Sequence, residues 1–249
     1  MIRIATASDG HYGGQWEDER WTTEGDETPC ETRHETMINW LNQEAADKGL
    51  DCVIFNGDNW HNEPDNIIPA GHPGEGMTYK DRVKYWYDQL TVPYYVTHGN
   101  HDRYGFSEWE TLWGFPVNHH FSVGNYGIVL LNSGGEWGSS PDPGYASYQV
   151  PDFNFLVSSV EHYRAQGKHV LVFCHVPFYS PSFGGGGTGN PTNFGECVDH
   201  HNFCREEECV LAVHFGHTHL RRRAEYIGQP TPHGGVYSLK RQLYAYSGH

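Results

Sequence analysis

The stretch THGNHDRYG (97–105) sets Asn100, His101 and Asp102 side by side directly after Gly99. An amide oxygen can ligate a metal, an imidazole can carry a proton, and a carboxylate can orient that imidazole. The preceding run VPYYVT reads as a buried strand, so the trio stands at a strand's carboxyl end. A polar turn is the bland explanation for such residues. Four more clusters of the same kind argue against it: Asp9 with His11, Asp58 with His61, His175, and His217 with His219, each closing a run of strand character. In open α/β sheets that edge is where ligands bind. Brought together, these groups would offer carboxylate, amide and imidazole donors, a set that suits Mn, Fe or Zn. There are donors enough for two ions, and a metal pair is the usual apparatus for in-line displacement at phosphorus.

The elements that must position these groups are legible from hydrophobic periodicity. IRIATAS (2–8), DCVIFNGD (51–58), VPYYVT (92–97), HVLVFCHVPF (169–178) and CVLAVHFGHTH (209–219) are short apolar runs. They read as strands, and DCVIFNGD, nearly all apolar, bears the mark of one covered on both faces. Residues 33–49 carry Met37, Leu41 and Ala45 at four-residue steps and close at Gly49, which predicts a helix. Residues 78–91 place Tyr79, Val83, Tyr87 and Leu90 on one side, and 152–166 form a third helix ending at Gly167. A helix-like 200–208 leads into the last of these strands. Ser107 and Glu110 make a candidate capping box for a short helix. HHFSVGNYGIVLLNS (119–133) reads as a hairpin turning at Gly124-Asn125, and the tail beyond 219 alternates like antiparallel strands. A polar, Gly-rich loop fills the space from the first strand to about residue 31. GGGGTGN (184–190) lacks the Lys-Ser/Thr ending of a nucleotide P-loop and is read as a rim near His175. β and α alternate through most of the chain, which predicts an α/β layered fold with mixed sheets, residues 1–249 forming one domain.

Composition bounds the partners. Against 31 Asp and Glu stand 16 Lys and Arg, a net charge of −15, which opposes sequence-independent binding of nucleic acid. No apolar run approaches the roughly 18 residues of a membrane span, and MIRIATASDG is too short and polar for a secretory signal. The expectation is a cytoplasmic protein with no membrane partner; oligomeric state is not legible. Six cysteines in a chain without a secretory signal do not read as a disulfide framework. Cys52 and Cys174 lie in strand runs as core thiols, while CVDHHNFCREEEC (197–209) is open to a structural zinc, one disulfide or free thiols.

Asp9-Gly10-His11, Gly57-Asp58, Gly99-Asn100-His101-Asp102, His175 and Gly216-His217-Thr218-His219, in that order over residues 2–219, resemble the motifs of the calcineurin-like metallophosphoesterases. The hairpin, helix and GKHVLVFCHVPF that follow one another are most similar to the branch with cyclic-nucleotide phosphodiesterases and purple acid phosphatases. The resemblance implies a four-layer sandwich of two facing mixed β-sheets flanked by α-helices. It implies two transition-metal ions, Mn, Fe or Zn: the first on Asp9, His11 and His219, the second on Asn100, His175 and His217, with Asp58 bridging. A metal-bridging hydroxide would attack phosphorus, His101 would give a proton to the leaving oxygen, and Asp102 would orient the His101 ring. The implied substrate is a small phosphate ester, a diester before a monoester. A metal-dependent nuclease, or a non-catalytic module that keeps the fold, are the alternatives. GDNWH departs from the pattern: purple acid phosphatases place a tyrosine ligand where His61 stands, and repair nucleases of the superfamily place a histidine. His61 is read as a neighbour of the ligands. Arg221, Arg222 and Arg223 are open to a phosphate-holding role or to the charged edge of a strand.

Overall fold

Cys52–Asn56, buried at every position, is the strand around which the first half of the chain is organised. The computed structural model describes residues 2–13, 30–61, 64–135, 148–178, 197–217 and 237–238. In the first sheet, β1 (Ile4–Ala7), β2 (Cys52–Asn56) and β3 (Tyr94–Thr97) lie in that order and are parallel throughout. The second sheet runs β4 (His119–Val123), β5 (Tyr126–Leu131), β6 (His169–Cys174), β7 (Val210–His214), β8 (Tyr237–Ser238). It is mixed: β5, β6 and β7 are parallel, while β4 and β8 pair antiparallel at the edges.

Side-chain alternation along the strands builds the layers, because successive residues face opposite sides of a sheet. Cys52 and Ile54 of β2 meet Ile128, Leu130, Leu171, Phe173 and Ala212 of the second sheet, forming a core between the sheets. Val53 and Phe55 point the other way, onto α1 (Cys30–Lys48), α2 (Tyr79–Tyr87) and α3 (Phe106–Trp113). Val129, Leu131, Val170 and Val172 likewise face α4 (Phe153–Ala165) and α5 (Val198–Glu206). The result is the expected sandwich, helix on sheet on sheet on helix. Much of the outer layer on β2 is aromatic: Tyr12, Trp60, Tyr79, Tyr87, Trp109 and Trp113 are all buried there. Full burial of a large apolar side chain contributes about 1.5–3 kcal/mol, so this layer is a rigid floor under the loops above it.

Two details depart from the sequence expectations. Helix α1 begins at Cys30, inside the stretch read as loop, because tertiary contacts hold its first turn. There the buried Glu31 accepts from the Tyr12 hydroxyl at 2.6 Å and pairs with Arg82. The capping box at Ser107 does not form: α3 starts after Gly105 with no side-chain cap, and Ser107 Oγ donates to Glu108 instead, at 2.9 Å. In keeping with the reading of the cysteines as thiols, none of the six is in a disulfide; five are buried, and among the described residues none joins a group of three metal donors. The hairpin turns where expected, between Val123 and Tyr126. Residues 184–190, Arg221–Arg223 and His219 lie outside the described residues. Among the described residues no helix is long and apolar enough to cross a membrane.

Candidate metal centre

The loops that follow β1, β2, β3, β6 and β7 leave the two sheets at one edge, as parallel strands require. The first two loops are zipped backbone to backbone: Asp9 N donates to Gly57 O at 3.0 Å, His11 N to Asp58 O at 2.9 Å, and Tyr12 N to Asn59 O at 3.1 Å. That zipper holds conformations most residues avoid. Asp9, His11, Asp58 and His217 have φ of 59°, 42°, 52° and 68°. Such strain costs on the order of 1–3 kcal/mol per residue and persists only where the surroundings enforce it. All four are expected ligands. The glycines of the motifs answer a related demand. A Cβ on Gly57, whose φ is +84°, would lie 2.4 Å from His175 Cγ, and one on Gly99 would lie 2.3 Å from Asp58 Oδ1. Ligand-bearing loops pack here at distances that leave no room for a side chain.

Asn56 joins the two sheets. Its Nδ2 reaches both Cys174 O and His214 O at 3.3 Å, and its own carbonyl accepts from His175 Nδ1 at 2.7 Å. With Nδ1 donating, His175 presents Nε2 to the site, the arrangement typical of metal-ligating histidines. That Nε2 stands 2.9 Å from Asp58 Oδ2 and 3.8 Å from Asp9 Oδ1, as an ion-pair contact rather than a directed hydrogen bond. From the β7 loop, His217 N donates to Asp9 Oδ1 at 2.9 Å. Two donor groups result, Asp9/His11/Asp58 and Asp58/His175/His217, each with ligand atoms within 4.8 Å of one another. Asp58 belongs to both. Asn100 is fully buried and neither atom of its amide has a hydrogen-bond partner; Asp58 Oδ2 and His175 Nε2 are also buried without one. An unsatisfied buried polar group costs about 1–3 kcal/mol. Buried oxygen and nitrogen donors left unsatisfied at the shared carboxylate fit a metal pair.

The electrostatics agree. Burial works against the Asp58 charge, but His175, His101 and His11 outweigh it and hold the carboxyl well below its usual range. Burial likewise opposes a charge on His175, yet Asp58 and Asp9 push it up to about 9. His217 is pushed down to about 4 by burial and by the neighbouring His175.

His101 meets the other oxygen of Asp58 through its backbone. Its backbone N donates to Asp58 Oδ1 at 2.8 Å, and its ring lies 4.9 Å from His11 and stacks on His61 at 5.0 Å. His11, His61 and His101 form a third donor group, with His61 Nδ1 3.3 Å from His11 Nδ1. The structure thus brings His61 into the site. Asp102 corrects an expectation. Its carboxylate does not orient the His101 ring; it accepts from Asn59 N at 2.7 Å, Asn59 Nδ2 at 2.9 Å, Gly99 N at 2.7 Å and Trp60 N at 3.3 Å. Neighbouring side chains in a turn point apart, so Asp102 is wholly buried and ties the β2 loop to the β3 loop while His101 stays partly open. Burial and the nearby Asp58 charge push the Asp102 carboxyl up to about 7, against the pull of its N–H donors.

Two residues escaped the sequence reading. Asn56 had a signal, as the polar closing residue of the otherwise apolar strand CVIFN. Tyr148 had none, since no periodic pattern surrounds it; its ring stands perpendicular to His217 at 5.7 Å.

A sandwich carrying paired carboxylates, an amide and imidazoles at one sheet edge is the architecture of metal-dependent phosphoesterases. The calcineurin-like phosphoesterase family matches residues 2–221, and the chain belongs to that family. Among solved structures it is similar to the crystal structure of a dimetal phosphatase from Danio rerio, LOC 393393, with a TM-score of 0.63 at 14% identity. The match covers 95% of this chain and 86% of that one, and at such identity it shows the shared fold. No curated protein matches the sequence.

Proposed function

We propose that residues 1–249 act as one domain that hydrolyses small phosphate esters, diesters before monoesters, at a dinuclear transition-metal centre. The carrying observation is that Asp58 is common to two donor groups, and that its buried Oδ2 has no hydrogen bond. Asp9 and His11, with His219 from outside the described residues, would hold one ion; Asn100, His175 and His217 would hold the other; Asp58 would serve both. Bound there, Mn, Fe or Zn supplies charge stabilisation at the phosphoryl oxygens and lowers the pKa of a coordinated water toward neutrality.

The chain's own residues do the rest. Asn56 holds His175 Nδ1, so Nε2 faces Asp58. His61 engages His11 Nδ1, and His11 Nε2 then faces Asp58 Oδ2 at 3.5 Å. His101, fixed through its backbone to Asp58 Oδ1, gives a proton to the leaving oxygen. Asp102 keeps that loop in place through its hydrogen bonds to Gly99, Asn59 and Trp60. The diester preference is supported by the resemblance of the hairpin and CHVPF segments to the phosphodiesterase branch.

One observation favours a second reading. His61 stands with His11 and His101, as a nuclease of the superfamily would have it. The net charge of −15 opposes that reading. A scaffold without catalysis has no use for four strained ligand positions. Reconstituted protein should contain about two metal equivalents per chain. With Mn²⁺ it should turn over bis-para-nitrophenyl phosphate and a cyclic nucleotide faster than para-nitrophenyl phosphate. Turnover of DNA with none of the small esters would select the nuclease, and bound metal without any turnover the scaffold.

A further inference from the structure

We infer that Tyr148 is a substrate-contacting residue of this centre, its hydroxyl donating a hydrogen bond to a non-bridging oxygen of the phosphoryl group; the inference rests on the phosphoesterase reading above.

The argument begins with how Tyr148 reaches the site. It forms an isolated antiparallel bridge with Gly134, and Gln149 N donates to Ser133 O at 3.1 Å. That short pairing is anchored on both sides. A Cβ at Gly134 would lie 2.0 Å from Gly99 O, so Gly134 is pressed onto the loop that carries Asn100. Ser133 Oγ accepts from Val176 N at 3.0 Å, which ties the same segment to the loop that carries His175. Tyr148 is therefore held between two ligand-bearing loops. Its ring meets His217 at 5.7 Å with the planes at 90°.

The chemistry of the hydroxyl is that of an ordinary phenol: with a pKa of about 10 it keeps its proton at neutral pH and is a neutral hydrogen-bond donor. It also stands on a definite side of the site. Its neighbour His217 groups with Asp58 and His175, whereas the proposed proton donor His101 groups with His11 and His61. A donor on the His217 side reaches the phosphoryl group from the face away from the leaving oxygen. It therefore bonds an oxygen that stays on phosphorus and strengthens that bond as negative charge accumulates there.

The test is Tyr148→Phe in the metal-reconstituted enzyme, which removes the hydroxyl and keeps the ring against His217. Metal content is measured by elemental analysis, binding of inorganic phosphate by calorimetry, and kcat/KM with a para-nitrophenyl and an alkyl ester. Loss of one hydrogen bond to a charged group corresponds to about a 10- to 100-fold effect. The expected result is full metal content, inorganic phosphate bound more weakly by about that factor, and kcat/KM lowered equally for both esters. Phosphate affinity and kcat/KM within about twofold of the parent would overturn the inference, leaving the ring as packing. So would a loss of metal, which would make Tyr148 a support for His217, or a larger loss with the alkyl ester, which would place the hydroxyl on the leaving oxygen. If the parent protein holds metal yet neither binds phosphate nor turns over any ester, the phosphoesterase reading itself fails and this inference with it.

Discussion

The two sheets contribute unlike things to one site. The first sheet supplies the carboxylates Asp9 and Asp58, on loops zipped together by backbone hydrogen bonds and clamped by Asp102. It also supplies Asn100 and His101. The second sheet's side supplies His175, whose Nε2 faces Asp58, His217, whose backbone N donates to Asp9, and Tyr148, whose ring stands against His217. The first set is negative, strained and preorganised by its own backbone. The second set takes its orientation from the first: Asn56 O fixes His175 Nδ1, and the Asp9 carboxylate accepts from His217 N. A site divided in this way exists only while the sheets keep their relative position. An apolar core joins them, and at the site's edge the Asn56 amide adds a polar link by reaching both Cys174 O and His214 O.

The largest expected effect comes from removing the group both halves share. Asp58→Ala should drop metal content from about two equivalents to below one and bring hydrolysis to background. If elemental analysis still finds two tightly held ions, the two halves bind metal separately and the shared-carboxylate picture is broken.

The next effect belongs to the first sheet alone. His101→Ala should keep both metals and lose activity by roughly 10²–10⁴-fold, more for an alkyl ester than for a para-nitrophenyl ester. Equal losses across leaving groups would make His101 a charge stabiliser and erase its contrast with Tyr148.

The link between the halves comes third. Asn56→Ala removes the amide that reaches Cys174 O and His214 O but keeps the backbone carbonyl that accepts from His175 Nδ1, so it should cost less than the roughly 10–100-fold in metal affinity typical of losing a ligand's hydrogen-bond partner outright. Calorimetric titration should find the second ion weakened more than the first. An unchanged affinity would show that the core between the sheets alone keeps them in register.

The smallest effect concerns pH and the floor of the second sheet. His214 stacks on Phe173 at 4.5 Å and is held near 4 by burial. The unfolded chain binds a proton there near pH 6.5 and the folded one does not. Its contribution to stability is therefore present above about pH 6.5 and is lost progressively as pH falls toward 4, by at most about 3 kcal/mol. His214→Phe should flatten the acid limb of a denaturant-derived stability curve. Buried His34, also near 4, leaves a remainder of the same sign. An acid limb as steep as the parent's would mean that His214 takes no part.

What local sequence determined here is what short-range physics governs. The unbroken apolar run within CVIFN, a glycine before each of Asp58, Asn100 and His217, and the polar closing residue of each strand are properties of a few adjacent residues. They sufficed for the strands, the layers and the order of the motifs. The motif positions that the structure describes converge because parallel strands bring their carboxyl ends to one edge. The partner of each side chain was decided by tertiary structure. Asp102 spends its oxygens on donors as far as 43 positions away in the chain, so adjacency to His101 said nothing about it. In the first turn of α1, Tyr12 and Arg82 meet Glu31 from 19 and 51 positions away, contacts that no local pattern announces. His61 joins His11 and His101, and Tyr148 joins His217, through packed loops that leave no periodic trace. A turn's sequence specifies where the chain reverses, but which way its side chains point depends on the loop packed against it.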